Sequence, residues 1–187
     1  YQNHLEEMVA SQVAEMTRMQ DEVITGIANL IESRDGSTGL HVKNTQNYVQ
    51  ILTKALREKG MYPDILDHNY ELNTVKASVL HDIGKIKTPD AILLKPGRLT
   101  DEEFEVMKQH TVAGCEIIDR IIGNVEHEEY VDIARKIARY HHERWDGTGY
   151  PDGLSGEEIP LCARIMALAD VFDALYPVSY THLRAHE

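Results

Sequence analysis

The chain has 187 residues, enough for one domain that buries about two thirds of its unfolded surface, so no metal is needed merely to hold a core together. With 31 Asp and Glu against 19 Lys and Arg and a formal charge of −12, it lacks the cationic density that a nucleic-acid polymer demands. No apolar run is long enough to cross a membrane and no signal-peptide pattern opens the chain, while Cys115 and Cys162, in no metal-binding spacing, read as buried fillers in a reducing, cytoplasmic compartment.

From Asn3 to about Glu32 there is no proline, and Leu5, Val9, Val13, Met16, Met19, Val23, Ile27 and Leu30 recur every three or four residues. That predicts a long amphipathic helix: a coiled-coil strand or inter-domain linker over 1–22, with a core face from Val23 onward. A chain that opens at Tyr1 inside a helical pattern reads as a fragment of something longer. The Gly- and Ser-containing run 34–39 is a turn, after which His41 heads a second helix that ends near Gly60. A third helix carries Leu72, Val75, Val79 and Leu80 on its buried side; His81 and Asp82 close it, and Gly84 lets the chain leave.

Thr100-Asp101-Glu102-Glu103 is a capping box that starts a helix bearing Phe104, Met107 and His110, and the isoleucine pairs Ile117-Ile118 and Ile121-Ile122 continue its apolar face. Residues 125–129 are acidic and solvated. The next helix, through Tyr130, Ile133, Ile137 and Ala138, brings His141 to its inner face with His142 beside it, and runs into a Gly/Pro loop over 145–153. Pro160 suits the first position of a last helix whose apolar segment contains Asp170. No segment of strand length alternates, so the fold class is all-α: a helical bundle over 23–175 behind the linker helix, with a separate tail over 176–187.

His41, His81, His110, His141 and His142, with Asp82 and Asp170, stand at helix ends or on inner helix faces. Buried carboxylates there are costly without a compensating charge. Five imidazoles and two carboxylates exceed what one cation needs and suit two divalent ions, especially with a bridging carboxylate. A net-acidic chain with such ions still accepts a small phosphorylated ligand, because the ions reverse the local field.

The segments His81-Asp82-Ile83-Gly84-Lys85, His110-Thr111-Val112-Ala113-Gly114, His141-His142-Glu143 and Asp146-Gly147-Thr148-Gly149-Tyr150-Pro151, in this order and spacing, resemble the HD-GYP family of HD-domain phosphohydrolases. The resemblance spans roughly Val23 to Leu175. It implies an all-α HD-domain bundle that hydrolyses cyclic di-GMP at a bimetallic centre, with iron as the metal and manganese as the alternative. It further implies that His41, His81, Asp82 and Asp170 hold one ion and that Asp82 bridges to a second held by His110, His141 and His142. A metal-bridging hydroxide would attack phosphorus, giving the linear dinucleotide, GMP or both. Lys85 would contact the scissile phosphate or help protonate the leaving oxygen, and Gly149, Tyr150 and Pro151 would lie beside the substrate.

The chain departs from the family pattern at two places. Ser37 stands where some members have a glutamate for a third ion, so two ions are expected here. After Leu175, Pro177 breaks the helix where the family continues with basic phosphate-holding residues, and the ending resembles a foreign or truncated tail. Two other readings therefore stand beside the phosphodiesterase: an HD hydrolase acting on another nucleotide, and a catalytically impaired cyclic-dinucleotide signalling module. An upstream regulatory domain and a homodimer through the N-terminal helix are the expected partners.

Overall fold

A computed structural model of the protein describes residues 2–35, 40–123 and 128–175. Among the described residues there are seven α-helices and no strand, the nearest approach to one being an isolated bridge between Asp146 and Ser155. The all-α expectation therefore holds. Ser37 and the tail over 176–187 lie outside the described residues, as does most of the acidic run over 125–129.

Helix α1 (Gln2–Glu32) contains one glycine and no proline, and continues into a 3-10 turn at Ser33–Asp35. Every described position from His4 to Gln20 is exposed. Contact with the domain begins at Asp21, and the core-facing residues are Ile24, Ala28 and Ile31, whereas Val23, Ile27 and Leu30 stay exposed. The apolar face that widens after Val23 is thus two faces: one packs on the bundle and one does not.

The bundle pairs α2 (His41–Glu58) with α7 (Leu161–Leu175), and α3 (His68–Ala77) and α5 (Asp101–Ile122) with α6 (Glu128–Tyr140). Its core runs through Val42 and Val49, Ile118, Val131, Ala134, Ile137 and Ala138, and Cys162, Ile165, Met166 and Ala169. Polar ties cross the pairs: Glu71 on α3 takes the Arg57 guanidinium of α2, and the Tyr70 hydroxyl accepts from Cys162 N at 3.0 Å. The capping box at Thr100 and Glu103 is present and starts α5. Both thiols are free; Cys162 is buried and Cys115 only partly so.

The structure departs from the sequence expectations at several points. The third helix stops at Ala77, and the chain tightens into 3-10 turns at Ser78–Leu80 and Ile83–Lys87, so His81 and Asp82 sit between two tight turns. Its buried residues are Glu71, Thr74 and Ala77, while Leu72 is 45% exposed, because the salt-bridged Glu71 turns inward. A short helix, α4 (Asp90–Leu93), follows Pro89. Pro160 precedes α7 by one position, its carbonyl accepting from Ala163 N at 2.9 Å and Arg164 N at 3.0 Å.

Gly84 does not act as a left-handed helix terminator. Its role is close approach: a Cβ there would meet His110 O at 1.8 Å and Gly114 N at 2.5 Å. The segment carrying His81, Asp82 and Lys85 is thereby pressed backbone to backbone against the middle of α5, which carries His110.

Candidate metal centre

Five elements deliver side chains to one place. His41 comes from the first turn of α2, His81 and Asp82 from the junction between two 3-10 turns, His110 from mid-α5, His141 and His142 from the turn after α6, and Asp170 from α7. Ligand atoms of Asp82, His110, His141 and His142 lie within 4.8 Å of one another, and so do those of His41, His81 and Asp82. Asp82 belongs to both groups. Asp170 adjoins the second through His41, whose Nε2 is 3.2 Å from Asp170 Oδ1.

The imidazoles are oriented by their outer nitrogens. His81 Nδ1 donates to Ser78 O at 2.9 Å, His110 Nδ1 to Met107 O at 2.7 Å, and His141 Nδ1 to Ile137 O at 3.0 Å and Ala138 O at 3.1 Å. Committing each Nδ1–H to a carbonyl leaves Nε2 as the inward lone pair in the neutral ring. His41 is held instead by a carboxylate, with Nδ1 2.7 Å from Asp173 Oδ2, and Asn44 Nδ2 donates to the other Asp173 oxygen at 3.0 Å.

These residues fit divalent ions. His81 Nε2 and Asp82 Oδ1 are buried with no hydrogen-bond partner among the described residues. His110 Nε2 and His141 Nε2 face each other at 3.5 Å, and Asp82 Oδ1 lies 3.4 and 3.6 Å from these two nitrogens. Two imidazole lone pairs pointed at each other in a buried site repel; a cation between them turns both into ligands. The donor set of nitrogens and carboxylate oxygens suits borderline and hard first-row ions rather than soft ones.

Protonation follows the same division. Burial, reinforced by the positive charge of neighbouring imidazoles, pushes the His142 pKa down to about 2, and burial pushes His110 down to about 4, so both are neutral lone-pair donors. For His41 burial acts downward, but the hydrogen bonds to Asp170 and Asp173 outweigh it and raise the pKa to about 9. Burial would raise Asp82, yet His81 and Lys85 hold it well below the usual carboxylate range. Lys85 Nζ sits 2.7 Å from Asp82 Oδ2, on the oxygen turned away from the His110–His141 pair.

The loop after α6 borders the cluster. Tyr150 stacks on His142 at 4.8 Å between ring centroids, Phe104 meets Tyr150 edge-on at 6.0 Å, and the Lys108 ammonium lies 5.1 Å and 5.8 Å from the Phe104 and Tyr150 rings. A Cβ at Gly149 would meet Arg144 N at 2.3 Å and His142 O at 2.6 Å, so only glycine lets the loop fold back on the histidine pair. The Tyr150–Pro151 peptide is cis. Beneath the loop, buried Glu143 accepts through Oε1 from Asp152 N at 2.8 Å and Gly153 N at 3.0 Å.

All seven histidine and aspartate candidates converge, with Lys85 and Tyr150 beside them. Sequence reasoning passed over Asp173, Asn44 and Glu143. Asp173 carried a usable signal, since it follows Asp170 by three residues on the same helix face.

An all-α bundle that gathers a His-Asp doublet with four further histidines defines the class of metal-centre domain to which this chain conforms. A family model described as HD domain matches residues 4–185, and the chain belongs to that family, in its HD-GYP branch. It is similar to a probable cyclic di-GMP phosphodiesterase of Vibrio cholerae, at 46% identity over 92% of this chain and 40% of the relative. It is also similar to the cyclic di-GMP phosphodiesterase response regulator RpfG of Xanthomonas campestris, at 39% identity over 91% of this chain and 42% of the relative. A 3'3'-cGAMP-specific phosphodiesterase of Vibrio cholerae is 37% identical over 87% of this chain and 29% of its own length. The chain thus spans less than half the length of these relatives.

Proposed function

We propose that this domain is a metal-dependent phosphodiesterase that hydrolyses cyclic di-GMP. The observation that carries the reading is the pair of donor groups sharing Asp82, with Lys85 on the carboxylate's other oxygen. In this reading His41, His81, Asp82 and Asp170 hold one ion, and Asp82, His110, His141 and His142 hold the other. Iron is the expected metal and manganese the alternative. Divalent ions bound there would supply Lewis acidity and a water acidic enough to lose a proton near neutral pH.

The chain's own residues do the rest. Neutral His110 and His142 keep their lone pairs available. Lys85, placed against Asp82, brings its positive charge to a phosphate oxygen or to the leaving oxygen. The Tyr150 face, with Phe104 and the Glu105-paired Lys108 beyond it, offers flat apolar surface beside the cluster, matching a ligand that carries purine bases. Glu143 holds the loop that positions Tyr150. Residues 23–175 form the catalytic unit of this reading, residues 1–22 connect it to an upstream regulatory domain, and the two free thiols suit a cytoplasmic setting.

The test is to incubate metal-loaded protein with cyclic di-GMP, the linear dinucleotide, 3'3'-cGAMP and nucleoside phosphates. Cleavage of cyclic di-GMP, lost on chelation and in Asp82→Ala, is expected, and the products distinguish a stop at the linear dinucleotide from progress to GMP. Failure to cleave any of them with metal verified as bound would leave the signalling-module reading. Preference for 3'3'-cGAMP, to which the third relative's name draws attention, would move the substrate but keep the chemistry. Two ions per chain are expected in anaerobic metal analysis, since Ser37 offers a hydroxyl where a third ion needs a carboxylate; three tightly held ions would overturn that count.

A further inference from the structure

From His4 to Gln20 no described residue of α1 is covered by the rest of the fold, although a lone helix of that length is marginal in water. Its exposed apolar residues are not scattered. Val9, Met16, Val23 and Leu30 recur at intervals of seven and are 53%, 64%, 57% and 73% exposed, and Leu5 and Met19 occupy the interleaved positions. In heptad notation the first four take position a and the latter two position d; Gln12 and Gly26 fill the remaining d positions, and Val13 and Ile27 widen the stripe at e. At about 100° per residue, the stripe is centred roughly 100° round the helix from Ile24, Ala28 and Ile31, the residues that pack on the bundle.

We propose that α1 is one strand of a parallel, in-register two-stranded coiled coil formed with a second copy of this chain. A strict seven-residue repeat selects a left-handed helix pair over an irregular surface contact, and charge and polarity select the orientation. In the parallel pair Gln12 faces the partner's Gln12, where the two amides satisfy each other, a known device for fixing register. The flanking g–e contacts are then Met8 with the partner's Val13, Glu15 with the partner's Gln20, and Glu22 with the partner's Ile27, with no like charges opposed. The antiparallel pair that keeps the same layers puts Gln12 against the partner's Val23, Gly26 against the partner's Val9, and Glu15 against the partner's Glu22, twice. That arrangement buries an unpaired amide, opens a gap and opposes carboxylates.

The coil would enter each domain at the cluster's supports. Glu32 Oε2 accepts from Val42 N at 3.2 Å, next to His41. Arg34 donates to Lys85 O at 3.3 Å, Ile86 O at 3.2 Å and Thr88 O at 3.4 Å, and pairs with Asp90 at 2.5 Å.

Sedimentation equilibrium of the whole chain at micromolar concentration should give twice the 21.2 kDa chain mass. Carrying Met16→Asp with Val23→Asp should raise the dissociation constant about 100-fold or more while metal retention, the readout that the domain is still folded, stays as in the parent. Val9→Cys should form an intermolecular disulfide on mild oxidation, and the parent chain should not. A monomer, or a dimer that survives the double substitution, would overturn the proposal. Cross-linking only when Val9→Cys is combined with Gly26→Cys would overturn the parallel orientation.

Discussion

His81, His110 and His141 are each committed at Nδ1 to a backbone carbonyl and turn Nε2 into the cluster, which fits it to hold metal rather than merely to pack. For His81, His110 and His141 the committing acceptor is a carbonyl of the preceding turn, an arrangement that any helix can supply. His41 differs, because α2 begins with it and no preceding turn exists; Asp173, braced by Asn44, substitutes. Asp173→Ala should therefore weaken metal retention about 10- to 100-fold, as loss of an outer-shell carboxylate does, with helix content unchanged. Titration of the apo-protein with manganese, alongside far-ultraviolet circular dichroism, checks it. Lys85→Ala should do the reverse, slowing turnover while metal is retained, and undiminished turnover would remove Lys85 from the proposed mechanism. The histidines were legible in the sequence because so many imidazoles on inner faces and helix ends have few other uses. Glu143 was not, because a carboxylate beside a polar loop is ordinarily solvated and only its contact across the fold distinguishes it, while Asp173 was marked only by its spacing of three from Asp170.

At the scale of elements, the close approach of the 3-10 segment Ile83–Lys87 to α5 fixes the distance between Asp82 and His110. The third helix was expected to run as far as Asp82; it stops at Ala77 because the chain from Ser78 onward must turn tightly enough to bring Gly84 against His110 O, a tertiary demand without a local sequence signature. Gly84→Ala opposes that contact with backbone atoms, which cannot rotate away as a side chain can. It should cost about 3 kcal/mol, the upper end of over-packing penalties, and thermal unfolding with metal absent measures it free of any binding contribution. The loop over 147–153 is held differently, by one carboxylate against two backbone amides. Glu143→Ala should leave the bundle's melting temperature nearly unchanged, yet the amides of Asp152 and Gly153 should lose protection in hydrogen exchange, since local opening draws on local bonds. Unaltered protection at both would show that Gly149 packing alone seats the loop.

For the whole molecule, bundle and cluster are one object: helices from both ends of the chain meet at the centre, and emptying it leaves a protonated histidine where an ion belongs. In the metal-free chain the His41 pKa is raised to about 9 by its two aspartates against the opposing effect of burial. A group whose folded pKa lies above its unfolded value of about 6.5 stabilises fully below that value and loses the contribution as pH rises through the folded pKa. Asp170, the other half of the same pair, is lowered to about 2; its contribution is present above the unfolded value of about 4 and is lost as pH falls through 2. His110 and His142, depressed to about 4 and 2, act the other way, because below about 6.5 the unfolded chain takes up protons that these buried rings refuse. The chelated protein should therefore be most stable near pH 6.5, and its melting temperature should fall steadily from there toward pH 9. With an ion bound, the proton on His41 is displaced and the coupling reverses, because proton competition weakens metal binding as pH drops. Melting curves with and without chelator should accordingly diverge as pH rises, the loaded protein gaining most where the empty one is weakest. Parallel curves across that range would mean that His41 contacts neither the ion nor the two aspartates in solution.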